Sequence, residues 1–250
     1  MHTALHEPLR LEDYEVHPER GFLPEQDPLP RLPDPYYEPW EAIAHDLPKL
    51  LVAGRIRQAV HTMPLLSTER LHSEAEWRRA MLVLSYIGHG YVWNGETPPE
   101  SIPANLAVPW HAVSEHLGRP PVLSYASYAL DNWRRFDPNE PIALGNIALL
   151  QNFLAGLDEE WFILIHVDIE ARASEALRAI PSALEQAERR DERTLTQSLE
   201  QVATTLEAMY ATLARMPEAC DPYIYYNRVR PYIHGWKNNP ALPKGLIYGG

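Results

Sequence analysis

The stretch Trp161-Phe162-Ile163-Leu164-Ile165-His166-Val167-Asp168-Ile169-Glu170 is almost wholly apolar up to one imidazole. Residues three and four apart share a helical face, so a helix here sets Phe162, His166 and Ile169 in one stripe. A buried imidazole needs a hydrogen-bond partner, and without one it costs about 1–3 kcal/mol. If the fold supplies the partner, His166 is a satisfied core histidine. If a ligand supplies it, His166 is a hydrogen-bond partner or a base.

A second group lies in Pro222-Tyr223-Ile224-Tyr225-Tyr226-Asn227-Arg228-Val229-Arg230-Pro231-Tyr232, where two arginines sit among four tyrosines. Arg228 and Arg230 are two apart and cannot share a helix face, so at most one points inward. An inward arginine would clamp a carboxylate with its planar fork. The plainer alternative is a surface arginine with its stem packed on rings. A third group, Ser124-Tyr125-Ala126-Ser127-Tyr128-Ala129-Leu130, interleaves small residues with tyrosines. That pattern suits close helix packing or the wall of a cavity.

Other chemistry finds no support. The sequence has no phosphate-cradling glycine loop, zinc-spaced His/Glu pair or nucleophile elbow. His111 and His116 are five apart and off a common helical face, while His2, His6, His17, His45, His61 and His72 read as solvated surface. The single cysteine, Cys220, excludes an intrachain disulfide and a thiolate cluster. With 22 basic and 34 acidic residues the net charge is −12, which argues against nucleic-acid and anionic-lipid partners. Trp161 to Ile165 is too short to span a bilayer. Met1 to Pro8 lacks the basic start and apolar core of a signal peptide, so a cytoplasmic location is expected. Thirteen tyrosines and 7 tryptophans against 4 phenylalanines suit pockets for ligands of mixed polarity.

These groups need elements to position them, and the periodicity predicts an all-α fold. Prolines crowd residues 18–39, giving an extended lead-in laid over the fold or a floppy arm. Helix is expected from Glu38 to Val52, kinked or split at Pro48, and from a capping box at Ser73-x-x-Glu76 to about Gly88 and Gly90. Glu96 to Trp110 reads as a surface loop. Helices follow at Trp110–His116, Leu123–Arg135 and Ile142–Leu154, then at Glu159–Ile180 with Pro181 as the stop. The spacing of Leu195, Leu199, Val202, Leu206, Met209, Leu213 and Met216 predicts a buried bundle seam. A last helix fits Pro222–Gly235, bent at Pro231. No alternating strand stands out.

Taken together, several segments resemble the indoleamine 2,3-dioxygenase family of haem enzymes. They are Leu82-Val83-Leu84-Ser85-Tyr86-Ile87-Gly88-His89-Gly90-Tyr91-Val92-Trp93, Ile102-Pro103-Ala104-Asn105-Leu106-Ala107-Val108-Pro109-Trp110, Pro120-Pro121-Val122-Leu123-Ser124-Tyr125, Asp131-Asn132-Trp133, Gly235-Trp236-Lys237-Asn238-Asn239-Pro240 and Gly245-Leu246-Ile247-Tyr248. The resemblance implies a two-domain helical fold: a proline-rich arm over 1–36, a small domain over 37–141 and an incomplete large domain over 142–250. It implies haem b, and O2 as co-substrate for cleaving the indole C2–C3 bond of L-tryptophan to N-formylkynurenine. By position, Tyr125, Tyr128 and Ala129 match the small-domain wall of the substrate pocket. Phe162 and Tyr225 match pocket aromatics, Arg230 the carboxylate clamp, and Ile233 an apolar residue near the haem. His166 stands where animal members carry serine. It reproduces the phenylalanine-to-histidine spacing of the related tryptophan 2,3-dioxygenases, which marks a bacterial-type member with His166 as the catalytic histidine.

In the family a glycine- and serine-rich loop and the iron-ligating histidine come after the position of Gly250. None of the 11 histidines is therefore assigned to a metal. The stretch by itself is expected to be inactive, to expose apolar helix faces, and to come from a protein that is monomeric when complete. Two alternatives stay open: a haem enzyme of indole secondary metabolism with the same fold, and a non-catalytic haem- or indole-binding fragment.

Overall fold

The computed structural model describes residues 9–250. Met1 to Pro8, with His2, His6 and the expected absence of a signal peptide, lies outside them. The described chain is mostly helical. Seven helices carry it: α1 (Glu38–His45), α2 (Leu47–Val52), α3 (Ile56–Thr62), α4 (Glu74–Trp93), α5 (Ala104–His116), α6 (Leu157–Arg189) and α7 (Glu192–Leu213). Two short ladders join them. β1 (Ser101–Ile102) runs parallel to β4 (Ile247–Tyr248), and β2 (Trp133–Arg135) antiparallel to β3 (Ile147–Leu149) with Trp133 opposite Leu149.

The proline-rich segment over residues 9–36 is laid on the fold. It buries Val16, Leu23 and Leu32. Arg20 and Arg135 both grip Asp27, at 3.0 and 2.7 Å. Buried Glu41 accepts the Leu32 N–H at 2.9 Å and pairs bidentately with Arg79 of α4. One apolar core then runs from Leu23 to Leu242, centred on α4 and including Trp40, Trp110, Trp133 and Ile163.

The capping box forms as its residues dictate. Ser73 Oγ accepts the Glu76 N–H at 3.3 Å, and the Glu76 carboxylate accepts the His72 N–H at 2.9 Å. The helix does not end at Gly88 or Gly90, because these glycines serve packing. The Trp110 ring fills the place where a Cβ on Gly88 would sit, and Leu47 and Leu51 close on Gly90.

The helix expected over Glu38–Val52 is split, at Asp46, two residues before Pro48, so that Pro48 sits in the first turn of α2. Other expected boundaries are corrected. Residues 104–110 belong to α5, which carries Pro109 within it. The Leu123–Arg135 segment forms only a π turn over Ala126–Leu130, and Asn132 shows why. Its amide donates to the Tyr128 and Gln151 carbonyls at 3.1 and 2.8 Å, and its Oδ1 accepts the Gln151 N–H at 2.8 Å. This ends the helical run and turns the chain into β2. The segment Ile142–Leu154 forms no helix; it gives β3, paired to β2. α6 passes through Pro181 to Arg189, since its packing along α7 offsets one lost backbone bond. The expected bundle seam on α7 forms only in part: Leu195, Val202, Met209 and Met216 are half-buried, Leu199, Leu206 and Leu213 are exposed, and Thr205 and Thr212 are buried. Thr212 donates to buried Asp168 of α6 at 2.7 Å, which makes the hydroxyl face the inner one. Pro222–Gly235 is a helical turn, a π turn over Tyr225–Val229 and a 3-10 turn over Arg230–Ile233, not one bent helix.

No described helix is long and apolar enough to cross a membrane.

Candidate active site

α6 begins at a buried carboxylate. Glu159, fully buried, accepts the backbone N–H of Phe153 at 2.8 and 3.0 Å and that of Leu154 at 3.0 Å. It thereby fixes the turn entering α6 and the helical phase of the stripe that follows. Burial pushes its carboxyl up to about 7, opposed by those N–H donors. Hydropathy periodicity does not mark this group.

One turn into α6, the Phe162 ring stacks on Tyr225 at 4.0 Å, and it meets the His166 ring at 4.5 Å. His166 Nδ1 lies 2.7 Å from the carbonyl oxygen of Phe162. A carbonyl can only accept, so Nδ1 carries the proton in the neutral ring and Nε2 keeps a lone pair. His166 is half-buried, and Nε2 has no hydrogen-bond partner among the described residues. Ile169 is also half-buried, but it does not line the cavity that His166 faces.

That cavity has a volume of about 710 Å³. It brings together Tyr125, Tyr128, Ala129, Phe162, His166, Tyr225, Arg230 and Ile233, every site position singled out in the sequence. Arg230 lines it and Arg228 does not. The Arg230 guanidinium lies 5.3 Å from the Tyr226 ring and has no carboxylate partner among the described residues. It is exposed at the rim, not buried. Tyr125 leans its ring edge toward His166 at 6.1 Å and donates its hydroxyl to Glu170 Oε1 at 2.8 Å. Burial, and then the Glu170 charge, push the Tyr125 phenol well up, so it stays protonated. Sequence reasoning missed Glu170, although it lies one turn beyond His166 on the same face. It also passed over Met216, Cys220 and Tyr226 as cavity residues.

Two walls of the cavity hang on one further imidazole. His89 of α4 is fully buried. Its Nδ1 lies 2.7 Å from the Tyr232 carbonyl, and its Nε2 accepts the Leu123 N–H at 2.9 Å. Burial lowers its pKa to about 4, so the ring is neutral, as both bonds require. Tyr232 is two residues from Arg230, and Leu123 two from Tyr125.

The surface histidines take no part. His111 lies 3.4 Å from Glu115, and His116 stacks on Trp77 at 3.9 Å. Among the described residues no group of three or more His, Cys, Asp or Glu side chains could hold a metal ion.

Residues 10–250 match the family described as Indoleamine 2,3-dioxygenase. The chain is 40% identical over 243 residues to indoleamine 2,3-dioxygenase 1 of Rattus norvegicus, covering 96% of this chain and 59% of that protein. It is 39% identical over 245 residues to indoleamine 2,3-dioxygenase 2 of Homo sapiens, covering 97% of this chain and 60% of that protein. It is 33% identical over 240 residues to a 6-hydroxytryptophan 2,3-dioxygenase of Fusarium equiseti, covering 95% and 59%. The chain thus spans about three-fifths of the length of these relatives.

Proposed function

Because the chain belongs to the indoleamine 2,3-dioxygenase family, we propose that it forms the substrate-holding wall of a haem-dependent dioxygenase that cleaves the indole C2–C3 bond of L-tryptophan to N-formylkynurenine. The observation that carries this reading is the convergence of His166, Phe162, Tyr125 and Arg230 on one cavity. In this reading residues 37–141 form a small helical domain and 142–250 a large one, and substrate sits where Tyr125, Tyr128 and Ala129 face α6.

The residues present fit the substrate-facing side of a haem. Ala129, Ile163 and Ile233 offer an apolar wall. The Ser124 hydroxyl, buried and without a partner among the described residues, offers a hydrogen bond to a polar edge. Haem b would supply the activation of O2. The chain's own part is to hold and orient the indole. The His166 Nε2 lone pair accepts the indole N–H and fixes the rotation of the ring. Phe162, backed by Tyr225, packs against the indole face. Arg230 takes the substrate carboxylate with its planar fork. Tyr125, held by Glu170, closes the rim beside His166 and limits the entry of water.

The test uses the full-length protein loaded with haem. A Soret band that shifts with CO and again with tryptophan, together with N-formylkynurenine identified by mass, is the expected result. A haem-loaded protein that binds CO but gives neither a tryptophan-induced shift nor that product would overturn the reading.

A further inference from the structure

Tyr128 and Tyr225 place their hydroxyl oxygens 3.3 Å apart inside the cavity, and both residues are more than nine-tenths buried. Either oxygen can be the donor, but only one proton is used between them. The second O–H has no acceptor among the described residues. Burial pushes both phenols well above their ordinary value, so neither loses its proton in the working range. A buried donor left over in the wall of a ligand-sized cavity calls for a partner. The polar handles of a plain tryptophan are already taken, the indole N–H by His166 and the carboxylate by Arg230. The tyrosine pair belongs to the same aromatic cluster, since Phe162 stacks on Tyr225 and also meets the His166 ring.

We propose that the Tyr128–Tyr225 hydroxyl pair selects an indole carrying a hydroxyl on its benzene ring. This inference rests on the tryptophan-type reading of the cavity. The ring hydroxyl accepts the spare phenolic O–H and donates its own to the second tyrosine oxygen, so that every proton finds an acceptor. The C5–C6 edge of an indole is remote from both its N–H and its side chain, which makes a 5- or 6-hydroxyl the fitting group.

Isothermal titration of the haem-loaded protein with tryptophan, 5-hydroxytryptophan and 6-hydroxytryptophan tests this. At least one hydroxylated isomer is expected to bind about tenfold more tightly than tryptophan. In Tyr225→Phe and in Tyr128→Phe that ratio falls to near one, with circular-dichroism melts reporting that each variant is folded. Equal affinities in the wild type, or a preference that persists in both variants, overturn the inference and leave the tryptophan reading standing. A water molecule that merely fills the spare bond gives the first of these results. Failure of every indole to bind overturns the tryptophan reading, and this inference with it.

Discussion

His166 Nδ1 and the Phe162 carbonyl oxygen are 2.7 Å apart, one helical turn from each other on α6. This contact sets the tautomer. With the proton held on Nδ1, Nε2 can accept a hydrogen bond from an indole N–H but cannot donate one. His166→Ala is therefore expected to weaken tryptophan binding by about 1 kcal/mol. It should also narrow the difference in affinity between tryptophan and 1-methyltryptophan, which has no N–H to give. Titration of both ligands measures this, and an unchanged ratio would remove His166 from substrate recognition.

Arg230 and Arg228 should behave differently. Arg230→Ala is expected to weaken tryptophan about tenfold while leaving tryptamine, which lacks the carboxylate, less affected. Arg228→Ala, outside the cavity, should change neither. Equal losses for both ligands in Arg230→Ala would mean that the side chain packs against substrate and does not clamp it.

Glu159 gives a pH signature. Burial raises its pKa from 4.5 to about 7 in the folded chain. Between those values the unfolded chain has lost this proton and the folded chain retains it. Its contribution to stability is therefore greatest at low pH, falls as pH rises through that window, and is flat above it. Denaturant unfolding of Glu159→Gln should show a shallower decline from about pH 5 to 7 than the wild type. Parallel curves would contradict the assignment.

Gly88→Ala tests the packing of α4. The added Cβ would sit 2.2 Å from Trp110 Cζ3. Overpacking of this kind costs about 1–3 kcal/mol, so a lower melting temperature is expected. Full stability would require the tryptophan to move freely, against its complete burial.

How far the sequence led can be judged from particular residues. The stripe through Phe162 and His166 was legible because one turn of α6 carries both. Arg230 was not separable from Arg228 by spacing; the family resemblance chose between them. Local pattern failed where tertiary partners overrode it. Asn132 turned an apparent helix into a strand, and Asp168 drew the hydroxyl face of α7 inward against its leucines. Glu159 was invisible because its partners, Phe153 and Leu154, lie in a turn with no periodicity. Pro181 misled because a proline's local cost says nothing of the neighbouring helix that α6 packs along.

The His89 ring is rigid, and its two nitrogens hold the Leu123 and Tyr232 backbones at a set separation. It acts as a calliper behind the cavity wall. The Tyr125 side cannot drift from the Arg230 side unless one of its bonds breaks. The span available to a ligand between indole pocket and carboxylate anchor is thus gauged from beneath, by a residue no ligand touches.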